Sequence, residues 1–365
     1  MRVVIAPDKF AGTLTAVEAA DAIATGWLRR LPGTDVVRVP MSDGGPGFVD
    51  VLHASLGGEL VAVTVPDPYG EPVPAAVLLV GSTAYIESAQ AVGLHLTAAD
   101  ERRPMAASSR GLGELVLAAI GSGATRVVVG AGGTATNDGG AGLLAALGAT
   151  ATGAVLDGGP EGLVGLERVD LGPAVEAVAS AELVLASDVD TQLLGLVGAT
   201  KTYGPQKGLS EEELLVADAR LQRFAEATDR KLATEKGAGA AGGIGFALLL
   251  LGATRQPGVD IVAEAVGLGT ALATADLVIT GEGSFDFSSR AGKVPYGVAQ
   301  LATHALRPCI ALAGQVLVGS REMRALGIEA AYSVVDRVGE ERALAAPAAS
   351  LAELAERVAR TWGRE

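Results

Sequence analysis

Carboxylates recur in this chain where short apolar runs give out. Asp8 follows VVIAP, Asp43 stands in SDGG, Asp188 and Asp190 in SDVD, and Glu282 and Asp286 in GEGSFD. Taken singly, each is an ordinary helix-cap or turn residue. Repeated through successive glycine-flanked loops, they are what a phosphoryl transfer needs. Magnesium takes few protein carboxylates, and one further acid accepts or orients the proton of an attacking hydroxyl. Lysines are sparse. Lys207 in YGPQKG and Lys293 in AGKVP are the best placed to neutralise a phosphate or carboxylate, while Lys236 reads equally well as a solvated surface residue.

The segment Gly130–Gly142, GAGGTATNDGGAG, lies between RVVV and the helical pattern LLAALGA. A strand, glycine loop and helix in series expose backbone N–H groups beside a helix N-terminus, and both features favour phosphate or carboxylate. A tight turn packing helix on strand explains part of the glycine but not the polar TATND core. Gly130, Gly132 and Ala135 also imitate a dinucleotide fingerprint, but no acid ends a second strand at the expected distance of about 20 residues. A Walker A loop is absent: Phe287 stands where its first glycine should be, and Val294 follows Lys293. His53, His95 and His304 share no spacing that would make a zinc site or a Ser-His-Asp triad. The lone Cys309, in RPCIALAG, reads as a buried structural thiol.

The elements that must carry these loops follow an α/β rhythm. At the N-terminal end the pattern predicts a strand at Val3–Ala6, a helix over Thr15–Arg30 opened by a Thr15/Glu18 capping box, and a strand at Asp35–Pro40. Toward the C-terminus it predicts strands at Asp276–Thr280, Cys309–Ala313 and Ala330–Val334, with helices from Pro295, over Ser320–Leu326 and over Ala348–Trp362. Neither end has strands enough to cover a parallel sheet alone. Joined, residues 1–60 and 275–365 make one discontinuous doubly wound domain, and residues 61–274 form an inserted α/β domain. That insert begins with hairpin-like strands at Glu59–Pro66, Ala75–Val80 and Ala84–Glu87, then adds strands at Arg126–Gly130 and Leu183–Ser187. Its helices are expected over Leu112–Ala119, Ser210–Thr228 and Ala241–Leu251. Ligands of open α/β sheets gather beyond the carboxyl ends of the strands, so a cleft between the two domains is the expected site.

Composition narrows the function classes. The chain has 365 residues and is 49% hydrophobic, so it can bury sizeable cores and is not disordered. Lys and Arg number 28 against 42 Asp and Glu, a balance of −14 with no basic tract, which speaks against nucleic acid as a partner. The apolar run before Pro7 is too short for a signal-peptide core, and no stretch approaches the roughly 20 residues of a membrane span. A cytoplasmic protein with no membrane partner is expected.

Eight motifs in order then resemble one family. They are APD (Ala6–Asp8), SDGG (Ser42–Gly45), GGTATNDGGAG (Gly132–Gly142), YGPQKG (Tyr203–Gly208), GAGAAGGIGFA (Gly237–Ala247), DLVITGEG (Asp276–Gly283), Asp286 and GKVPYGVA (Gly292–Ala299). Over essentially its whole length the chain resembles the type I glycerate kinases, the bacterial glycerate 2-kinase family. The resemblance implies a flavodoxin-like domain with an inserted second α/β domain, and magnesium-dependent transfer of phosphate from ATP to D-glycerate, with the 2-hydroxyl favoured. In that reading Asp188 is the base, with Asp43 able to exchange roles with it, and Glu282 or Asp286 holds Mg2+. Gly132, Gly133, Thr134, Asn137, Asp138, Gly139 and Gly140 meet the nucleotide, with Lys207, Gly281 and Gly283. Lys293 supplies catalytic positive charge. The chain departs from the family pattern at Ala11, where a lysine is usual, at Pro46, where an acid is usual, and at Ser284, where an arginine is usual. The missing cations are natural carboxylate ligands. Their loss motivates one rival reading, a non-catalytic sensor of small acids. The glycine loop motivates another, an NAD(P)-dependent oxidoreductase. The oligomeric state is left open, a homodimer being one candidate.

Overall fold

A computed structural model describes residues 1–286 and 293–363. It is an α/β protein with two main sheets in which parallel pairing dominates. By its contacts the chain divides into two units. The first comprises Met1–Asp43, Asp50–Leu56 and Pro257–Glu365, and the second Gly44–Val49 and Gly57–Gln256. The stretch from Pro257 to Thr274, read from sequence as the end of the insert, is grouped with the first unit. Its helices Gly258–Ala265 and Leu268–Ala273 both pack on the helix Val294–His304.

The first unit is built on five strands that are parallel throughout: Arg2–Ile5, Asp35–Arg38, Leu277–Thr280, Cys309–Ala313 and Ala330–Ser333. Numbered along the chain, their order across the sheet is 2-1-3-4-5, the flavodoxin-like order, with its switch point between the first and third strands. The three central strands read VVI, LVIT and CIALA and are buried, as a parallel sheet covered on both faces requires. Val3, Ile5, Leu277, Ile279, Ile310 and Leu312 share one core with Ala19, Ile23 and Trp27 of the first helix and Leu351, Leu354, Ala355 and Val358 of the last. Those two helices, Ala16–Arg30 and Pro347–Trp362, lie against each other so closely that a Cβ on Gly26 would meet the Ala352 carbonyl oxygen at 1.9 Å. Thr15 caps the first helix, with Glu18 completing the reciprocal capping box. Cys309 opens the fourth strand and is buried.

The second unit holds a six-stranded sheet. Strands Thr254–Gln256, Glu182–Ala186, Arg126–Gly130 and Thr83–Glu87 run parallel in that order, and Pro72–Val80 and Glu59–Pro66 continue it as an antiparallel meander. The helix expected from Ala241 onward is interrupted. Within Ala240–Leu250, the residues Ala241, Gly242 and Gly243 take left-handed φ values of 52°, 72° and 94°. Glycine is at ease there and alanine is not. Among the described residues, no helix is long and apolar enough to cross a membrane.

Candidate functional site

In the first unit, the loops leaving the carboxyl edge of the sheet enclose a cavity of about 420 Å³. Every strand of the sheet contributes to its wall. Asp8 follows the first strand, Asp43 the second, Glu282 the third, Gly314 and Gln315 the fourth, and Val334 and Val335 the fifth. The loops can stack this tightly because their glycines have no side chains. A Cβ at Gly281 would come within 2.0 Å of the Leu312 carbonyl, and one at Gly314 within 2.4 Å of the Gly283 carbonyl. Gly281, expected to meet the nucleotide, thus has a packing duty that accounts for its identity, while Gly283, expected to do the same, lies close against Phe10 and Ala11. Asp8 is tied down by its own backbone, whose N–H donates to the Gly281 carbonyl at 2.8 Å, while its Oδ1 accepts the Lys9 N–H at 2.7 Å.

Asp8, Asp43 and Glu282 all line this cavity. Asp8 and Glu282 are almost wholly buried, and Asp43 is half-buried. Burial pushes the Asp8 carboxyl up to about 7, the neighbouring Asp43 charge adds to the shift, and Lys9 opposes it. Lys293 approaches Glu282 with Nζ 3.8 Å from Oε2. Ser284, on the cavity wall, donates to Asp286 at 3.3 Å. Ala11 and Ser284, two of the departures from the family pattern, both line the cavity, where the lining cations are Lys9 and Lys293. Sequence reasoning noted Asp8 as a strand-end acid but gave it no role, and passed over Gln315. Its burial, which only the fold reveals, is what singles out Asp8.

The remaining expected site residues belong to the second unit, where Thr134, Asn137, Asp138 and Lys207 are buried. Asp138 is fully buried, and its carboxylate accepts four bonds: from the Ser109 N–H at 2.8 Å and hydroxyl at 2.7 Å, and from the N–H groups of Gly140 at 3.0 Å and Gly142 at 3.2 Å. Burial raises the Asp138 carboxyl, and these bonds pull it back down. The Gly139 N–H donates to the Gly242 carbonyl at 3.1 Å, and the Gly132 N–H to Ser88 Oγ at 3.1 Å. Several donors expected to cradle phosphate therefore hold the loop's own shape. The glycines also admit the turn at Gly44–Pro46, for a Cβ on Gly132 would lie 2.9 Å from the Gly45 Cα and one on Gly133 2.6 Å from Pro46 Cγ.

Lys207 is likewise buried, at the end of the helix Ala199–Lys207. Its Nζ donates to the Thr136 carbonyl at 2.5 Å and reaches the Thr134 hydroxyl at 3.4 Å. Burial pushes this amine down to about 7, against the pull of Asp138. In this structure its amine clamps the TATND loop from within. Asn137 donates through Nδ2 to Thr200 Oγ1 at 3.0 Å, while its Oδ1 and the Thr136 hydroxyl are buried with no partner among the described residues. Asp188, half-buried, follows the strand Glu182–Ala186. Its neighbour Asp190 is held in surface ion pairs with Lys236 at 2.7 Å and Arg255 at 2.8 Å.

Comparison with known proteins gives one consistent result. The model of the glycerate kinase family matches residues 3–363. The glycerate kinase of Bacillus subtilis (strain 168) is 42% identical over 349 residues, covering 92% of this chain and 90% of that protein. The glycerate 2-kinase of Escherichia coli (strain K12) is 40% identical, covering 93% and 92%. A crystal structure of a candidate glycerate kinase 2 from Salmonella typhimurium LT2 superposes with a TM-score of 0.82 at 37% identity, covering 99% of this chain and 98% of that one. A match spanning both units, with the carboxylate-lined edge inside it, leaves one assignment: this chain belongs to the glycerate kinase family, whose members are phosphotransferases acting on an alcohol group.

Proposed function

We propose that the chain transfers the γ-phosphoryl group of ATP to D-glycerate, at the 2-hydroxyl, with Mg2+ present. The observation that carries this reading is the convergence of Asp8, Asp43 and Glu282 with Lys293 on one cavity beside the switch point of a 2-1-3-4-5 sheet. Phosphoryl transfer asks the protein for positioning and charge compensation more than for covalent chemistry.

The donor set fits magnesium. Crowded, desolvated carboxylate oxygens are hard ligands whose mutual repulsion a dication relieves. Among the described residues no group of three acids forms a ready-made metal cage. Mg2+ usually binds through one or two carboxylates plus phosphate and water, so it requires none. Glu282 and Asp8 would hold it, with Asp286 as the further candidate, and when bound it neutralises charge on the phosphates. Of Asp8, Asp43 and Glu282, Asp43 is the most exposed, and it takes the proton of the attacking hydroxyl. The new O–P bond forms as the bond from the γ-phosphorus to the bridging oxygen breaks, and ADP departs with that electron pair. Lys293 offsets charge on the transferring group. Asp188 is kept as the competing base, from the second unit. The glycine loop, held by Asp138 and Lys207, acts as a rigid frame, and the Asn137 Oδ1 and Thr136 hydroxyl are its buried polar atoms without a partner among the described residues.

Incubation with Mg-ATP and D-glycerate tests the proposal. ADP release with a 2-phosphoglycerate signal in the phosphorus spectrum is expected. ADP release with a 3-phosphoglycerate signal would move the attack to the other hydroxyl. Thermal stabilisation by D-glycerate without ATP consumption would replace the kinase reading with that of a sensor.

A further inference from the structure

The two main sheets end in four edge strands, and three of them are blunted. Thr254–Gln256 has three residues with Arg255 at its centre, and Ala330–Ser333 has four. Asp35–Arg38 also has four, and its end residues are held in ion pairs with Arg2 and Asp21. The fourth edge, Glu59–Pro66, is unlike these. It has eight residues, pairs with Pro72–Val80 without a bulge, and carries no charge from Leu60 to Pro66. Short length, charge and bulges are what keep a sheet edge from accepting another strand, and this edge lacks all three. Among the described residues no strand lies on its outer side, and Leu60 is 45% exposed.

The direction of its backbone groups follows from its neighbours. The Ala76 N–H donates to Gln90 Oε1 at 2.8 Å, so the even-numbered residues of Pro72–Val80 turn their backbone away from Glu59–Pro66. The two-residue turn Gly81–Ser82 agrees, because it closes on Val80 and Thr83 as a hydrogen-bonded pair. Directly opposite residues of an antiparallel pair turn their N–H and C=O groups either toward each other or both away. Leu60, Ala62 and Thr64 stand opposite Leu78, Ala76 and Pro74, so their N–H and C=O groups point out from the edge. Their side chains share the exposed face, while Val61 and Val63 pack on the core.

We propose that this edge pairs with the same edge of a second copy of the chain, antiparallel about a two-fold axis through Ala62. The strand is complementary to its own reverse in this register. Ala62 faces Ala62, Leu60 faces Thr64 on either side, and every outward N–H of these residues finds an outward carbonyl. Val61 of one copy lies beside Val63 of the other on the core face, which extends the apolar row across the join. Neighbouring registers fit less well. An axis through Val63 sets Leu60 opposite Pro66, which has no N–H to give. An axis through Val61 sets Thr64 opposite Gly58, whose φ of 96° is not that of a strand. In the Ala62 register the two Glu59 residues stand six positions apart, about 20 Å, well beyond a Debye length of about 8 Å. The isologous pairing joins the two six-stranded sheets into one.

Sedimentation equilibrium of the full chain, from micromolar concentrations upward, tests the pairing. The wild-type protein is expected at twice the monomer mass. Ala62→Pro removes an outward donor and spares the ladder to Pro72–Val80, since an edge strand tolerates proline on its open side. It should raise the dimer dissociation constant about tenfold or more. Ala62→Lys and Ala62→Glu, each alone, set like charges face to face and should weaken association, and an equimolar mixture of the two should restore it. A variant that had merely misfolded would not recover on mixing. A wild-type chain that stays monomeric throughout would overturn the proposal, as would an Ala62→Pro dimer as tight as the wild type. A mixture no tighter than its separate components would equally overturn it, because residue 62 meets itself only about this axis.

Discussion

At the scale of single residues, Asp43 and Lys207 make opposite uses of burial. Asp43 stays half-buried on the wall of the acidic cavity, as the base of the proposed transfer must. Asp43→Asn should lower kcat by about 100-fold or more with the far-ultraviolet spectrum unchanged. Asp188→Asn decides between the two candidate bases: a fall of a few-fold supports Asp43, and a collapse of turnover restores Asp188. Lys207 is wholly internal, and its amine is pushed down from 10.5 to about 7. Below about pH 7 it is charged in the folded and unfolded chain alike, and the burial cost is fully present. Between about 7 and 10.5 the unfolded chain binds a proton that the folded chain has released, so stability rises with pH across that window. Lys207→Met should flatten this rise, as read from urea unfolding at pH 7 and pH 9.5.

At the scale of elements, the legible features were those set by local chemistry. Thr15 and Glu18 announce a helix start through side chains that bond each other's backbone, and the helix begins at Ala16. Cys309–Ala313 is a strand with the expected ends, because an apolar run between Pro308 and Gly314 has few alternatives. Features set by distant partners were not legible. The helix Ala199–Lys207 contains Pro205 and a motif that reads as a loop, and it is held by packing against the helices Glu211–Ala227 and Ala240–Leu250. The run AAGGIGFALLL has helical composition, yet its first turn is left-handed where Gly242 and Gly243 pass close to Thr136 and Gly139. At the site, the strand-end carboxylates were readable because they are chemically conspicuous. The inward turn of Asp138 depends on Ser109, far away in sequence, and no local pattern shows it. Helix contact makes its own prediction. Gly26→Ala drives a methyl group into the Ala352 carbonyl and should cost about 1–3 kcal/mol in urea unfolding.

At the scale of the whole molecule, the first unit is assembled from sequence that the second interrupts. Its first two strands lie before the interruption and the other three after it, so the acidic cavity exists only when both ends of the chain have been made. A chain terminated after Gln256 would hold two strands of five, too little to bury a parallel sheet on both faces. In such a truncation, proteolysis should cut residues 1–43 readily while residues 57–256 resist. Resistance of both regions would show that the first two strands find another partner.

Cys309 carries a practical consequence. The thiol is buried within the central part of the five-stranded sheet, and burial, with the Glu329 charge behind it, pushes its pKa up to about 12. A thiol that stays protonated is a poor nucleophile, so alkylating reagents and mild oxidants should pass the native enzyme by. As the sole cysteine of the chain, it is a built-in clock. The rate at which a chromogenic disulfide reagent labels it would measure how often that sheet opens to solvent. Any ligand that binds this unit only when it is folded should slow that rate in proportion to its occupancy, with no label engineered into the protein.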